Sequence, residues 1–264
     1  MGLLNQLKTL WHTLKGSAYS WPALDISLPG DRHFHLVGSI HMGTRDMAPL
    51  PAKLLKKIHQ ADALIVEADI SGHETPFSNL PGFPPLAERL SDEQREKLET
   101  LADDLGLSVA LFDNQPLWQI AMVLQATQAQ KLGLRADYGV DYQLLHDARQ
   151  HGVKIIELEG SQGQIDLLLQ LPDSGLSLLE DTLTHWHTNA RLLQVMIGWW
   201  LAQPPKQGAI TLPNTFSEPL YDVLMNQRNQ AWREALLALP AGRYVVAVGA
   251  LHLYGEGNLP SLLR

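Results

Sequence analysis

Four short runs of β-branched and apolar residues stand between turn signals, and long segments of helical periodicity separate them. The runs are His33 to Ile40, Ala63 to Ala68, Val153 to Leu158 and Arg243 to Val248. Strands alternating with helices confine the chain to α/β architecture, with a mostly parallel central sheet flanked by helices. Helices are expected over Ser91 to Asp104, opened by a capping box of Ser91 and Gln94, and over Pro116 to Leu132, closed by Gly133. Asp141 to His151 and Ser161 to Leu171 flank the third strand. An apolar stretch, Leu176 to Ala202, carries Trp186, Trp199 and Trp200. A last long helix starts at Ser217 and Pro219 and runs to Leu239.

At 264 residues the chain has room for one large domain, and the expectation is a single domain over 1–264. Within it, 1–24 reads as an N-terminal amphipathic helix and connecting segment, since Leu3, Leu7, Leu10 and Leu14 recur at helical spacing. Such a helix docks on the protein's own core or a second subunit of a homo-oligomer, or adsorbs weakly to a membrane surface. No stretch reaches the roughly 20 apolar residues of a bilayer span, and the N-terminus lacks a signal-peptide core, so cytoplasmic residence is the expectation. Proline and glycine cluster at Pro76 to Pro85 and Pro204 to Pro213, the expected loops or lids.

Composition narrows the chemistry. Lys plus Arg number 20 against 28 acidic residues, a net charge of −8, which argues against a nucleic-acid binder. With no cysteine there is no disulfide framework, thiolate zinc site or cysteine nucleophile, so any metal must sit on histidine and carboxylate ligands. Walker A, Gly-x-Ser-x-Gly and His-Glu-x-x-His patterns are also missing.

What remains is a repeated signature. The first and last strands, HLVGSIH and VVAVGALH, each run into Gly-x-x-His, ending at His41 and His252. In open α/β sheets ligands bind beyond the carboxyl ends of the strands, so the two imidazoles meet there if the strands are neighbours. The second strand ends in Glu67, with Asp69 on the same face, and the third offers Glu157 and Glu159. Two imidazoles and a carboxylate at one sheet edge can hold a divalent metal with a position open to water. A strand-end histidine is just as readily a hydrogen-bonded structural residue, and a strand-end carboxylate can simply face water. Arg228 and Asn229, mid-helix, read as an ordinary surface pair or as a clamp for a substrate carboxylate or oxyanion. Asp141 reads most simply as a helix N-cap. His33 and His35 are expected at the surface, His185 and His187 on opposite sides of a helix, and His73 in a loop.

Taken together, GSIHMG, VEAD, GVDYQLLHDA, IIELEG, RNQAW and VVAVGALHLYGEGNLPSLL resemble the TraB/GumN family, which includes plasmid pheromone-shutdown proteins and the Tiki Wnt-inactivating proteases. The likeness runs from His33 to Arg264. It implies a core related to erythromycin esterase and the ChaN-like haem-binding proteins, and a cleft built from the two Gly-x-x-His motifs and a glutamate. In the Tiki branch that constellation supports metal-dependent peptide cleavage. It picks out His41 and His252 as metal ligands, Glu67 as a further ligand or the general base, and Arg228 and Asn229 as the matching arginine-asparagine pair. Arg228 would stabilise an oxyanion or hold a substrate carboxylate, and Asn229 would orient substrate or water.

Three functions therefore compete. The first is a metal-dependent hydrolase, a peptidase above all, using manganese, cobalt or zinc on a peptide or small-molecule substrate. The second is a metal-independent ester or amide hydrolase in which a histidine activates water. The third is a non-catalytic protein that sequesters a peptide or a metal cofactor.

Overall fold

The computed structural model describes residues 22–69, 82–201 and 212–264. Of the segment 1–24 expected as an amphipathic helix and connection, 1–21 lies outside the described residues, as do most of the two Pro/Gly-rich loops and His73. Five strands form one sheet in the order β1-β2-β5-β3-β4. They are β1 (Ala23–Leu28), β2 (Arg32–Ser39), β3 (Ala63–Val66), β4 (Ile155–Glu157) and β5 (Gly242–Gly249). Every pairing is parallel except β1 with β2, so the sheet is mostly parallel.

The helices follow in chain order. They are α1 (Ala52–His59), α2 (Leu86–Arg89), α3 (Asp92–Leu105), α4 (Leu117–Lys131), α5 (Val140–Gln150), α6 (Gly160–Leu169), α7 (Leu176–Thr184) and α8 (Trp186–Trp200). Then α9 (Glu218–Tyr221) runs through a π-helical turn (Asp222–Asn226) into α10 (Gln227–Leu237), and α11 (Leu259–Leu262) closes the chain. Helix α3 opens on the expected capping box, Ser91 Oγ accepting from Gln94 N and Gln94 Oε1 from Ser91 N. The apolar stretch expected as one piece divides into α7 and α8 at His185, whose backbone (φ −101°, ψ 21°) leaves the helical region.

Period-two alternation sorts the strands onto two faces. Tyr244, Val246 and Val248 of β5 join Phe34, Leu36, Trp232, Leu236 and Leu259 in one core layer. Val245 and Ala247 join Val37, Leu54, Ile58, Val140, Leu144 and Ile197 in the layer beneath α1, α5 and α8. A helical cluster of α3, α4 and α7 packs its own core around Trp118, Leu98 and Leu124. Because β5 lies between β2 and β3, the carboxyl ends of both Gly-x-x-His strands and of the Glu67 strand open on one edge.

Two local expectations are corrected here. Residues 23–28 form the antiparallel edge strand β1, and its Asp25 pairs with His35 across the register. His35 is therefore buried, with Nδ1 2.6 Å from Asp25 Oδ1, and not at the surface. His33, by contrast, stays exposed between Ser27 and Asp31.

Candidate functional site

The carboxylate that emerges after β3 is nearly buried, which is costly unless every oxygen is paired. Glu67 meets that demand. Its Oε1 accepts from the Gly249 amide at 2.6 Å, and its Oε2 accepts from Arg228 Nη2 at 2.5 Å and, more weakly, from Gln164 Nε2 at 3.4 Å. Gly249 eases this approach, because a Cβ there would lie 3.3 Å from Glu67 Oε1, tight enough that the carboxylate would have to give by a few tenths of an ångström. Burial raises the Glu67 pKa, but the Arg228 cation, with His252 and His41, outweighs it and holds the carboxyl below its ordinary range.

Arg228 is anchored from the other side. Its Nε and Nη2 donate to Glu159 Oε1 and Oε2 at 2.7 and 2.9 Å, a bidentate pair. Trp232, four residues on and so on the same helix face, lies under the guanidinium at 4.6 Å and donates its indole N–H to Glu159 Oε1 at 2.9 Å. The π-helical turn immediately before α10 sets the rotation that aims Arg228, Asn229 and Trp232 at the sheet edge.

The two histidines are held by the same device. His252 Nδ1 lies 2.7 Å from Asn229 Oδ1, and Asn229 Nδ2 donates to Gly257 O at 3.0 Å. This fixes the Nδ1–H tautomer and leaves the His252 Nε2 lone pair facing Arg228 Nη1 at 3.3 Å. His41 Nδ1 lies 2.9 Å from Asp141 Oδ2, with the carboxylate buried and the ring two-thirds exposed at the mouth of the pocket. Gly139 permits this junction, since a Cβ there would fall 2.2 Å from the His41 carbonyl oxygen. Asp141 is thus a correction to the sequence reading. The helix is capped by Gly139, and the Asp141 side chain turns to His41.

Environment drives the imidazoles apart. His41 is pushed up to about 9 by the Asp141 charge and hydrogen bond, although contact with water at its ring screens that attraction. His252 is pulled down to about 3 by burial, with the Arg228 cation adding to the effect. Burial raises the Asp141 pKa, but His41 and the Ser39 hydroxyl outweigh it and bring the carboxyl below its usual range.

Of the five expected residues, Glu67, Arg228, Asn229 and His252 are joined by hydrogen bonds, while His41 is bound to Asp141 and acts on Glu67 through charge alone. They do not converge equally: Arg228 stands against both Glu67 and His252, and the donors of His41, Glu67 and His252 are not all within 4.8 Å of one another. Sequence reasoning left Asp141, Glu159 and Trp232 out of the constellation. The i, i+4 spacing of Arg228 and Trp232 and the strand-face pairing of Glu157 with Glu159 were the signals available. Glu157 itself turns away and accepts from the Asp69 amide, and Asp69 pairs with Arg149.

Among the described residues no helix is long and apolar enough to cross a membrane. Over 264 residues, covering the whole of both chains, the protein is 67% identical to the "Uncharacterized protein YbaP" of Escherichia coli (strain K12), and equally so to that of Shigella flexneri. No solved structure matches it. The TraB/PrgY/gumN family pattern covers residues 24–264, and with the two Gly-x-x-His strands side by side around Glu67 the chain belongs to that family.

Proposed function

We propose that the pocket hydrolyses an amide or ester carbonyl, in the first place a peptide bond, with a divalent cation of the manganese, cobalt or zinc kind held by His41, His252 and Glu67. One observation carries this reading: both imidazoles are tied at Nδ1 by an oxygen, Asp141 Oδ2 for one and Asn229 Oδ1 for the other. Oxygen partners on the far nitrogen are how metal-ligating histidines are oriented, and they leave Nε2 of each ring as the nitrogen available to an ion. Charge agrees with it. Asp141, Glu67 and Glu159 carry three negative charges against the Arg228 guanidinium and a protonated His41, so one negative charge stays uncompensated, and a cation that takes the place of the His41 proton is balanced by the Asp141 carboxylate.

Arg228 is the obstacle the site must clear, because it already occupies Glu67 Oε2. Its bidentate hold on Glu159 and its seat on Trp232 survive the loss of that one contact, so Glu67 can change partner while Arg228 stays anchored. Freed from Glu67, the Nη2 donor faces the pocket and stabilises a substrate carboxylate or developing oxyanion. Asn229 keeps His252 in one tautomer. What the cation supplies when bound is Lewis acidity for the carbonyl and a lowered pKa for water.

A second reading rests on the solvent-open His41–Asp141 pair, which resembles the base-and-orienter half of a metal-free hydrolase. In that case the base form of His41 fills only as pH approaches about 9, so the rate climbs steadily above neutrality. The test is hydrolysis of a peptide library by untagged protein stripped with chelator. Activity lost on stripping and regained with manganese, cobalt or zinc supports the metal reading. Unchanged turnover after exhaustive stripping transfers the site to the metal-free mechanism, and tight peptide binding with no turnover under any metal overturns hydrolysis.

A further inference from the structure

A second group of metal-ligating side chains lies at the opposite edge of the sheet, and we propose that His59, Asp147 and His151 form a binding site for a transition-metal ion such as zinc. His59 is the last residue of α1 and His151 caps α5, the helices that lead into the amino ends of the neighbouring parallel strands β3 and β4. The site is therefore distinct from the pocket at the carboxyl ends. Asp147 Oδ2 lies 2.9 Å from His59 Nε2, Asp147 Oδ1 lies 3.4 Å from His151 Nδ1, and all three donors fall within 4.8 Å of one another.

Those separations match the chemistry. Ligands about 2.0–2.1 Å from a tetrahedral zinc ion stand roughly 3.3 Å from each other, so modest rotation of the side chains closes the three around one ion. Imidazole and carboxylate together select zinc, nickel or copper over calcium or magnesium. Asp147 and His151 are four apart on one helix face, and the His59 ring stacks on His151 with centroids 3.8 Å apart, so both rings stand beside the one carboxylate.

Electrostatics favours a cation as well. The carboxyl-terminal ends of α1 and α5, each carrying partial negative charge, meet at the cluster. Of the nearby cations, Lys57 is committed to Asp25 and Arg149 to Asp69, while Lys56 is exposed. The side chains of His59, Asp147 and His151 are 35%, 15% and 46% exposed, which leaves a fourth position to water. Ligation moves two protons: His59 gives up the Nε2–H···Oδ2 contact to the Asp147 carboxylate and carries its proton on Nδ1, and His151 gives up the Nδ1–H···O contact to the Asp147 carbonyl and carries its proton on Nε2.

Zinc chloride titrated calorimetrically into chelator-stripped, untagged protein tests the site, with His41→Ala as the background so that binding in the pocket is removed from the count. The expected result is one bound equivalent and a rise in Tm with zinc, both lost when His59→Gln and His151→Gln are added. Cobalt(II) should give d–d absorption that disappears in the same variant, while the metal-free Tm stays unchanged. Undiminished zinc binding in the triple variant, or no binding in His41→Ala protein, overturns the assignment. Neither result bears on whether the pocket hydrolyses a substrate.

Discussion

His41 and His252 end the same four-residue motif on adjacent parallel strands, yet their surroundings are opposite. His41 is two-thirds exposed and bound to a carboxylate, whereas His252 is 4% exposed and bound to an amide oxygen. One imidazole is pushed up to about 9 and the other down to about 3. The cause begins in register. Gly249 pairs with Ser39 and Gly38 with Val248, so the motifs are staggered by one residue and their side chains leave the sheet differently. After Gly249 a 3₁₀ turn (Ala250–Leu253) folds His252 under α10, while after Gly38 the chain runs out to the mouth. A shared motif thus sets where a histidine stands, and the partner on its Nδ1 sets what charge it carries.

The largest effect should come from removing the group that touches both sides of this contrast. Arg228→Ala leaves Glu67 and Glu159 as buried, uncompensated carboxylates, and denaturant melts should show about 3–5 kcal/mol lost together with all activity. Arg228→Lys keeps the charge without the bidentate fork, and should recover part of the stability but little of the activity.

Acid should act next, through His252. Its folded pKa lies below the unfolded value of roughly 6.5, so the unfolded chain binds more protons in that window. Stability is fully present above pH 6.5 and falls on acidification by up to roughly 1.4 kcal/mol per unit toward pH 3. His35, also lowered by burial, adds in the same direction. His41 has the opposite sign, its contribution being present below about 6.5 and lost as pH rises toward 9. Melts of His252→Asn between pH 5 and 6.5 should flatten, and an unchanged slope would show that His252 is not held neutral.

Asp141→Asn makes the partner of His41 an amide like that of His252. The His41 pKa should return toward 6.5 by NMR titration, and turnover should fall roughly 10–100-fold, the usual cost of losing such an orienting partner. The smallest change is Asn229→Asp, which gives His252 a carboxylate. Its pKa should rise while the fold persists, and a value still near 3 would mean that burial alone sets it.

Much of this was legible in the sequence, because four strands and the helices α3 to α6 follow from apolar periodicity and caps that lie close together in the chain. The strand β1 also carried its signal, Leu24, Ile26 and Leu28 alternating with Ala23, Asp25 and Ser27, but it is a short edge strand beside a segment of helical periodicity. Glu67, His41 and His252 were legible because each follows an apolar strand at a sheet edge. Asp141 was not, since a carboxylate in the first turn of a helix has a local use as a cap, and only the fold brings His41 across 100 residues to compete for it. For the same reason the seat of Arg228 between Glu67 and Glu159 depends on β3, β4 and α10 meeting, which no local pattern records.

The central claim is best tested by the anomalous difference map of a crystal soaked in manganese or zinc. The account predicts an ion in the pocket bonded to His41 Nε2, His252 Nε2 and a Glu67 oxygen, with Arg228 still paired to Glu159. A pocket with no ion and Arg228 unmoved on Glu67, at metal concentrations that load the His59 cluster, would contradict it.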